Sequence, residues 1–424
     1  MNSDIPIDAR QGFSYGLLGL PLAFVALPLY VILPNHYARE FGVPLATLGT
    51  LLLAARLLDA FIDPLIGRCC DRLFERSLHS VLAFGGFAAM LLASGFGLLF
   101  FPVTRESSPL VAWAAVCLIV TYAAYSGLSV AHQSWGAMLG GDEAQRSRIV
   151  AWREGLGLVG VVLASITPLL LGLGATVGLF CIALAAGWLA WTRASPPRAA
   201  PVRRTHGIWL PFSRRAFRRL LGVFMLNGIA SAIPATLVLF FVQDRLQAPR
   251  AMESAFLATY FVCAAISMPV WLRIVLRFGL ARSWMCGMLL AVSAFVWATQ
   301  LGSGATVAFL AVCALSGLAL GTDLALPGAM LAGVIQRAGD RGSAEGAYFG
   351  WWNFATKLNL ALAAGLSLPA LEVFGYSPGA RDAAALNALT LAYCLLPCLL
   401  KLAALTALYT LIIRPAQAAA TPCL

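Results

Sequence analysis

A chain of 424 residues that is 60% hydrophobic and only 11% charged, with a mean hydropathy of +0.84, is not a soluble globular protein. Such a protein needs charge at about a quarter of its positions to cover its surface. Only helices and closed barrels satisfy their backbone in lipid, and apolar runs of roughly 20 residues are the length a helix needs to cross it. The net charge of +11 is no nucleic-acid signal, because of where the charge sits. The four histidines (His36, His79, His132 and His206) are dispersed, so neither a nucleophile–base pair nor a metal cluster points to an enzyme.

Taken in chain order, the first twelve residues carry Asp4, Asp8 and Arg10, which predicts no cleaved leader. Spans follow at 13–34, 43–67, 79–102, 109–133, 151–173 and 175–192. A hydrophilic segment then runs from Arg193 to Arg219 with eight arginines, three prolines in Ser195–Pro201 and no acid. It reads as a basic linker drawn to anionic lipid. Six further spans lie at 220–243, 252–275, 281–300, 305–334, 345–371 and 385–411. The division is therefore an N-terminal half at 1–192, a linker at 193–219 and a C-terminal half at 220–424. Short basic turns echo across it, Gly67-Arg68-Cys69-Cys70-Asp71-Arg72 in one half and Arg277-Phe278-Gly279-Leu280-Ala281-Arg282 in the other. Two joined six-helix halves are the layout of the major facilitator superfamily.

Twelve crossings put both termini on one side, and basic residues say which. With the N-terminus inside, the inside segments hold 21 lysines and arginines and the outside loops 5. The positive-inside rule then places both ends in the cytoplasm of a bacterial-type plasma (inner) membrane. The ten cysteines are scattered without metal or disulfide spacing and read as packing residues.

An ionised side chain in mid-membrane costs at least about 2.5–3.5 kcal/mol, so each asks for a reason. Arg56, Asp59 and Asp63 in the second span share a helical stripe about 60° wide. Two carboxylates one turn apart repel, which raises the pKa of one or calls a cation between them. The plainer reading is a structural Arg56–Asp59 ion pair with Asp63 at the rim. Lys357 lies thirteen residues into the eleventh span, about 20 Å deep, as a counter-charge or a substrate anchor. Asp323 in the tenth span fits helix packing and function equally. Lys401 in the last span is expected to snorkel to the interface.

Several of these strings together resemble the glycoside–pentoside–hexuronide:cation symporters, the melibiose permease group of the major facilitator superfamily. The resemblance is carried by Arg56-Leu57-Leu58-Asp59-Ala60-Phe61-Ile62-Asp63-Pro64, by Trp135-Gly136-Ala137-Met138, by Asp142, Arg146 and Trp152-Arg153-Glu154, by Gly321-Thr322-Asp323-Leu324-Ala325-Leu326-Pro327, and by Gly350-Trp351-Trp352-Asn353 through Lys357. It implies that Asp59 and Asp63 bind the coupling cation and that Ser126 adds a hydroxyl ligand. It further implies that Lys357 stands near the cation and Arg153 near the substrate path. The departures are that Ile62 replaces an asparagine ligand, Pro21 and Leu22 replace a sugar-binding Lys-Asp pair, and Ser129 replaces a second sugar-binding aspartate. Losing an oxygen ligand weakens a Na⁺ site more than a proton site, so both H⁺ and Na⁺ stay open with H⁺ the better fit.

The function expected is cation-coupled symport of a sugar or related small organic solute by a monomer using alternating access, with no cofactor beyond the coupling cation. The alternative is a transporter, or an exporter, of an amphipathic substrate such as a lysolipid or drug, suggested by the apolar replacements in the first span.

Overall fold

The computed structural model describes residues 8–104, 107–197, 207–373, 375–376 and 379–420, and every regular element among them is helical. The first predicted span is a broken run, α1 (Ala9–Gly16), α2 (Gly19–Phe24), a π-turn at Pro28–Ile32 and α3 (Leu33–Glu40). Pro28 has no amide hydrogen and Gly16 and Gly19 resist helix, so this run breaks where the sequence is weakest. The chain continues through α4 (Leu45–Arg76), α5 (Leu78–Phe100), α6 (Ser107–Leu139) and α7 (Glu143–Thr192). The short α8 (Leu210–Ser213) precedes α9 (Arg215–Phe240), α10 (Arg250–Phe278), α11 (Leu280–Ala298), α12 (Thr306–Ala338) and α13 (Glu345–Val373). The last span is α14 (Ala383–Thr390) and α15 (Leu396–Leu408), joined by a π-turn at Leu391–Leu395, before α16 (Arg414–Ala420).

Nine helices among the described residues are long and apolar enough to cross a membrane. The other expected spans are the broken stretch 9–40, α4, which carries Arg56, Asp59 and Asp63, and α13, which carries Lys357. Within α7, the fifth and sixth spans meet at Gly172 (φ 80°, ψ 171°), a conformation an L-residue adopts only at a cost. The one-residue break expected at 174 thus falls two residues earlier. Of the linker, residues 198–206, with Arg198, Arg203 and Arg204, lie outside the described residues.

The chain divides into two compact units, residues 1–213 with 332–354, and residues 214–331 with 355–424. In the first unit α2 lies against α7 at glycine crossings, where a Cβ on Gly160 would collide with the carbonyl oxygen of Leu20. With no hydrophobic drive between helices in lipid, such close approach is what packing gains from. Phe96 and Phe180 fill the gap between α5 and α7 at 4.6 Å between ring centroids, and the Tyr37 hydroxyl donates to the Leu99 carbonyl at 2.9 Å. In the second unit the core is aromatic, with Phe241 stacked on Tyr393 at 4.3 Å and Phe256 edge-on to Phe309 at 4.9 Å.

Candidate functional site

In the first unit α4 turns Asp59 and Asp63 inward, at 6% and 0% exposure, while Arg56 on the same helix is exposed. The Ser126 hydroxyl of α6 donates to Asp59 Oδ1 at 2.8 Å, and Ser126 is itself buried. The geometry therefore joins two of the three expected cation ligands and sets the third one helical turn away. The site forms because α4 and α6 pack along their length, which places the Ser126 turn of one beside the Asp59 turn of the other. A buried carboxylate holding a hydroxyl presents oxygen ligands of the kind that hard cations and protons take.

Ser129 lies one turn along α6, buried, and accepts from Gln133 Nε2 at 2.8 Å. Arg153 on α7 bonds its sequence neighbour Glu154 through Nε at 3.0 Å and Nη2 at 2.6 Å. Adjacent residues on a helix point about 100° apart, so this pair depends on long side chains folding back along the helix surface. Close by, the Tyr15 hydroxyl donates to the His132 carbonyl at 3.1 Å and His132 Nε2 lies 2.8 Å from the Tyr15 carbonyl. That makes Nε2 the protonated nitrogen, and His132 a buried clamp between α1 and α6.

Asp323 and Lys357 both lie in the second unit. Lys357 is partly buried on α13. Asp323 stands at the centre of a closed polar cluster. Its Oδ1 accepts from Asn227 Nδ2 at 2.9 Å and Trp284 Nε1 at 2.8 Å, and its Oδ2 from Ser231 Oγ at 3.1 Å and Lys401 Nζ at 2.9 Å. Lys401 Nζ also donates to Asn227 Oδ1 at 2.8 Å and Ser231 Oγ at 3.0 Å. The expectation that Lys401 snorkels is corrected: its side chain is 5% exposed and all three ammonium donors are used inside the unit. An internal partner is worth more than a reach to the interface once the carboxylate is in place. Asn227, Ser231 and Trp284 were not singled out from the sequence. The four-residue spacing of Asn227 and Ser231 in an apolar helix was the available signal.

A second set of polar contacts was missed. The buried carboxylate of Asp71, at the end of α4, accepts from the backbone amides of Gly346 at 2.6 Å and Ala347 at 2.9 Å. These are orphan donors of the first turn of α13, where the helix dipole also favours an anion. The fit is tight, since a side chain on Gly67 would overlap the Gly346 carbonyl. Arg341 meets the opposite dipole, donating to the Met138 carbonyl at the end of α6 at 2.7 Å. Arg146 ties the start of α7 to Gln336 at 2.9 Å and to the Gly141 carbonyl at 2.7 Å. This clasp explains why residues 332–354 belong to the first unit. In sequence the Gly67–Arg72 string reads as a repeated basic turn, which hides the role of its one acid, Asp71.

Known proteins agree with this architecture. A bacterial homologue of the iron transporter ferroportin, solved in an outward-facing state, superposes with a TM-score of 0.71 at 17% identity, over 94% of this chain and 99% of that one. The fucose:proton symporter FucP of E. coli gives 0.67 at 16% identity, over 92% and 98%. At such identities the likeness shows the major facilitator fold alone. Among curated sequences, the inner membrane symporter YicJ of Escherichia coli is 24% identical over 174 residues, 39% of this chain and 36% of that protein. The isoprimeverose transporter of Lactiplantibacillus pentosus is 28% identical over 162 residues, 38% of this chain and 33% of that one. The chain thus matches about a third of the length of these curated relatives. The profile of one family, described as MFS/sugar transport protein, matches residues 13–414. With an all-helical fold of many membrane-spanning helices, intramembrane carboxylates and a match across nearly its whole length, the chain belongs to this family of major facilitator transporters, not to any class of enzyme.

Proposed function

We propose that the protein is a cation-coupled symporter of a sugar or related small organic solute, working by alternating access. Two six-helix halves, 1–192 and 220–424, would be joined by the basic linker at 193–219, in a monomer with both termini cytoplasmic in a bacterial-type inner membrane. The carrying observation is the buried Asp59 carboxylate with the Ser126 hydroxyl donated to it at 2.8 Å. A cation or proton arriving there removes a charge that is costly to keep in the membrane. If the cation binds the solute-competent state better than the other, it raises solute affinity, and the solute raises cation affinity by the same factor. Asp63 is the second carboxylate of this reading, Arg153 and Ser129 line the substrate path, and Arg56, Asp323 and Lys357 tune coupling. The relatives described as a symporter and an isoprimeverose transporter are consistent with it.

The test is uptake into proteoliposomes under an imposed H⁺ or Na⁺ gradient, with a panel of mono- and disaccharides and Asp59→Asn in parallel. Accumulation driven by one gradient and lost in Asp59→Asn is the expected result. Accumulation that survives Asp59→Asn would return the carboxylates to a structural role.

A further inference from the structure

The second unit holds a cavity of about 310 Å³ whose lining residues all belong to this unit. Apolar and aromatic side chains make most of its wall, and the Asp323–Lys401 pair is part of it. That pair is neutral as a whole, and its bonds are spent internally. A charged guest would have to displace one member and leave the other buried without its partner. The serine hydroxyls on the wall have also spent their hydrogens, Ser231 on Asp323 at 3.1 Å and Ser316 on the Val312 carbonyl at 2.7 Å. Two oxygen donors are left. The hydroxyls of Tyr260 and Tyr393, both on the wall, have no hydrogen-bond partner among the described residues. Tyr393 is only 4% exposed, yet its hydroxyl is not closed off within the protein. Its ring is stacked on Phe241 at 4.3 Å and stands in the π-turn at Leu391–Leu395, an irregularity that recurs at functional sites. This donor is therefore held in place before any guest arrives.

An apolar wall disfavours a polar guest, a closed ion pair disfavours a charged one, and two unspent O–H donors call for an acceptor. A carbonyl oxygen answers them with two lone pairs and no hydrogen of its own to leave unpaired. We infer that this cavity binds an uncharged, mainly apolar molecule carrying a carbonyl oxygen, which Tyr260 and Tyr393 recognise. The apolar body lies against Phe256, Phe261 and Phe295 on the same wall. The inference takes nothing from the symport reading, whose proposed cation ligands lie in the first unit.

The experiment uses the full chain in lipid nanodiscs and measures equilibrium binding of tritiated benzophenone, an uncharged diaryl ketone, with binding to empty nanodiscs subtracted. The competitors are diphenylmethane, which has the same two rings and no oxygen, and benzoylbenzoate, which adds a charge. Saturable binding is expected, with diphenylmethane competing roughly fivefold more weakly than unlabelled benzophenone, the worth of one net hydrogen bond. Benzoylbenzoate should compete more weakly than benzophenone as well. Tyr260→Phe combined with Tyr393→Phe removes both hydroxyls and no bond of the fold. It should erase the preference for ketone over hydrocarbon at unchanged thermal stability, and the single variants serve if the pair does not fold. Absent saturable binding, equal competition by either compound in the parent, or a preference that survives the substitutions overturns the inference. Nanodiscs of ether-linked lipid, which has no ester carbonyl, separate two sources of the guest. Tighter binding there assigns the cavity to a bilayer lipid and unchanged binding to a free solute, and the carbonyl assignment holds in both.

Discussion

Ser126 and Asp59 meet through one hydrogen bond, and its removal has a calculable size. A typical bond is worth about 1 kcal/mol, which is roughly fivefold in an equilibrium constant. Ser126→Ala is therefore expected to raise the cation concentration for half-maximal uptake about fivefold. An unchanged dependence would take Ser126 out of the cation site. The Asp323–Lys401 pair behaves differently because both members are confined. Lys401→Met strands a carboxylate and should cost about 3–5 kcal/mol, while Lys401→Met with Asp323→Leu should recover most of it. Thermal unfolding of the two variants separates these outcomes, and equal destabilisation would mean the pair is not a coupled unit. Asp59 could be picked out from the sequence because a carboxylate in an apolar helix has to be explained. The Asp323–Lys401 pairing could not, since the partners are 78 residues apart and nothing local to Lys401 tells an internal partner from a route to the interface.

Helix ends and crossings decide what an element tolerates. Asp71 serves two amides of the first turn of α13, so Asp71→Ala should cost about 1–2 kcal/mol, as loss of a helix cap does. Asp71→Asn, which still offers an oxygen, should cost less, and the difference is read as a smaller drop in melting temperature. At the neighbouring crossing Gly67→Leu forces α4 away from Gly346 and should cost about 1–3 kcal/mol, the usual range for overpacking. A melting temperature equal to that of the parent would show that the crossing can relax. The breaks at Gly16 and Pro28 fall inside what reads as one span at 13–34, whereas the long apolar helices were legible from hydropathy. The π-turns at Phe241–Arg245 and Leu391–Leu395 were not, because a widened turn has no composition of its own. The boundary between the fifth and sixth spans was legible to within two residues, at 174 against Gly172, although the hydropathy on either side continues without a polar loop.

For the whole molecule, the asymmetry of arginines is the statement most open to direct measurement. If both termini are cytoplasmic, as proposed, a cysteine at Ser303 in a cysteine-free background should react with a membrane-impermeant maleimide from outside, and one at Ser77 only after permeabilisation. The reverse pattern would invert the molecule. Fold and family were readable from span count, linker and motif order, whereas the clasp at 332–354 was not, because it depends on loops meeting far along the chain. That clasp has a consequence for ionic strength. Going from 0.1 M to 1 M salt shortens the screening length from about 10 Å to about 3 Å, which quenches attraction between exposed arginines and lipid headgroups. Asp71 is only 2% exposed, and mobile ions cannot enter between it and the amides of Gly346 and Ala347. Brine should therefore strip the protein's surface electrostatics and leave this fastening intact, so that what salt fails to change becomes the signature of the clasp.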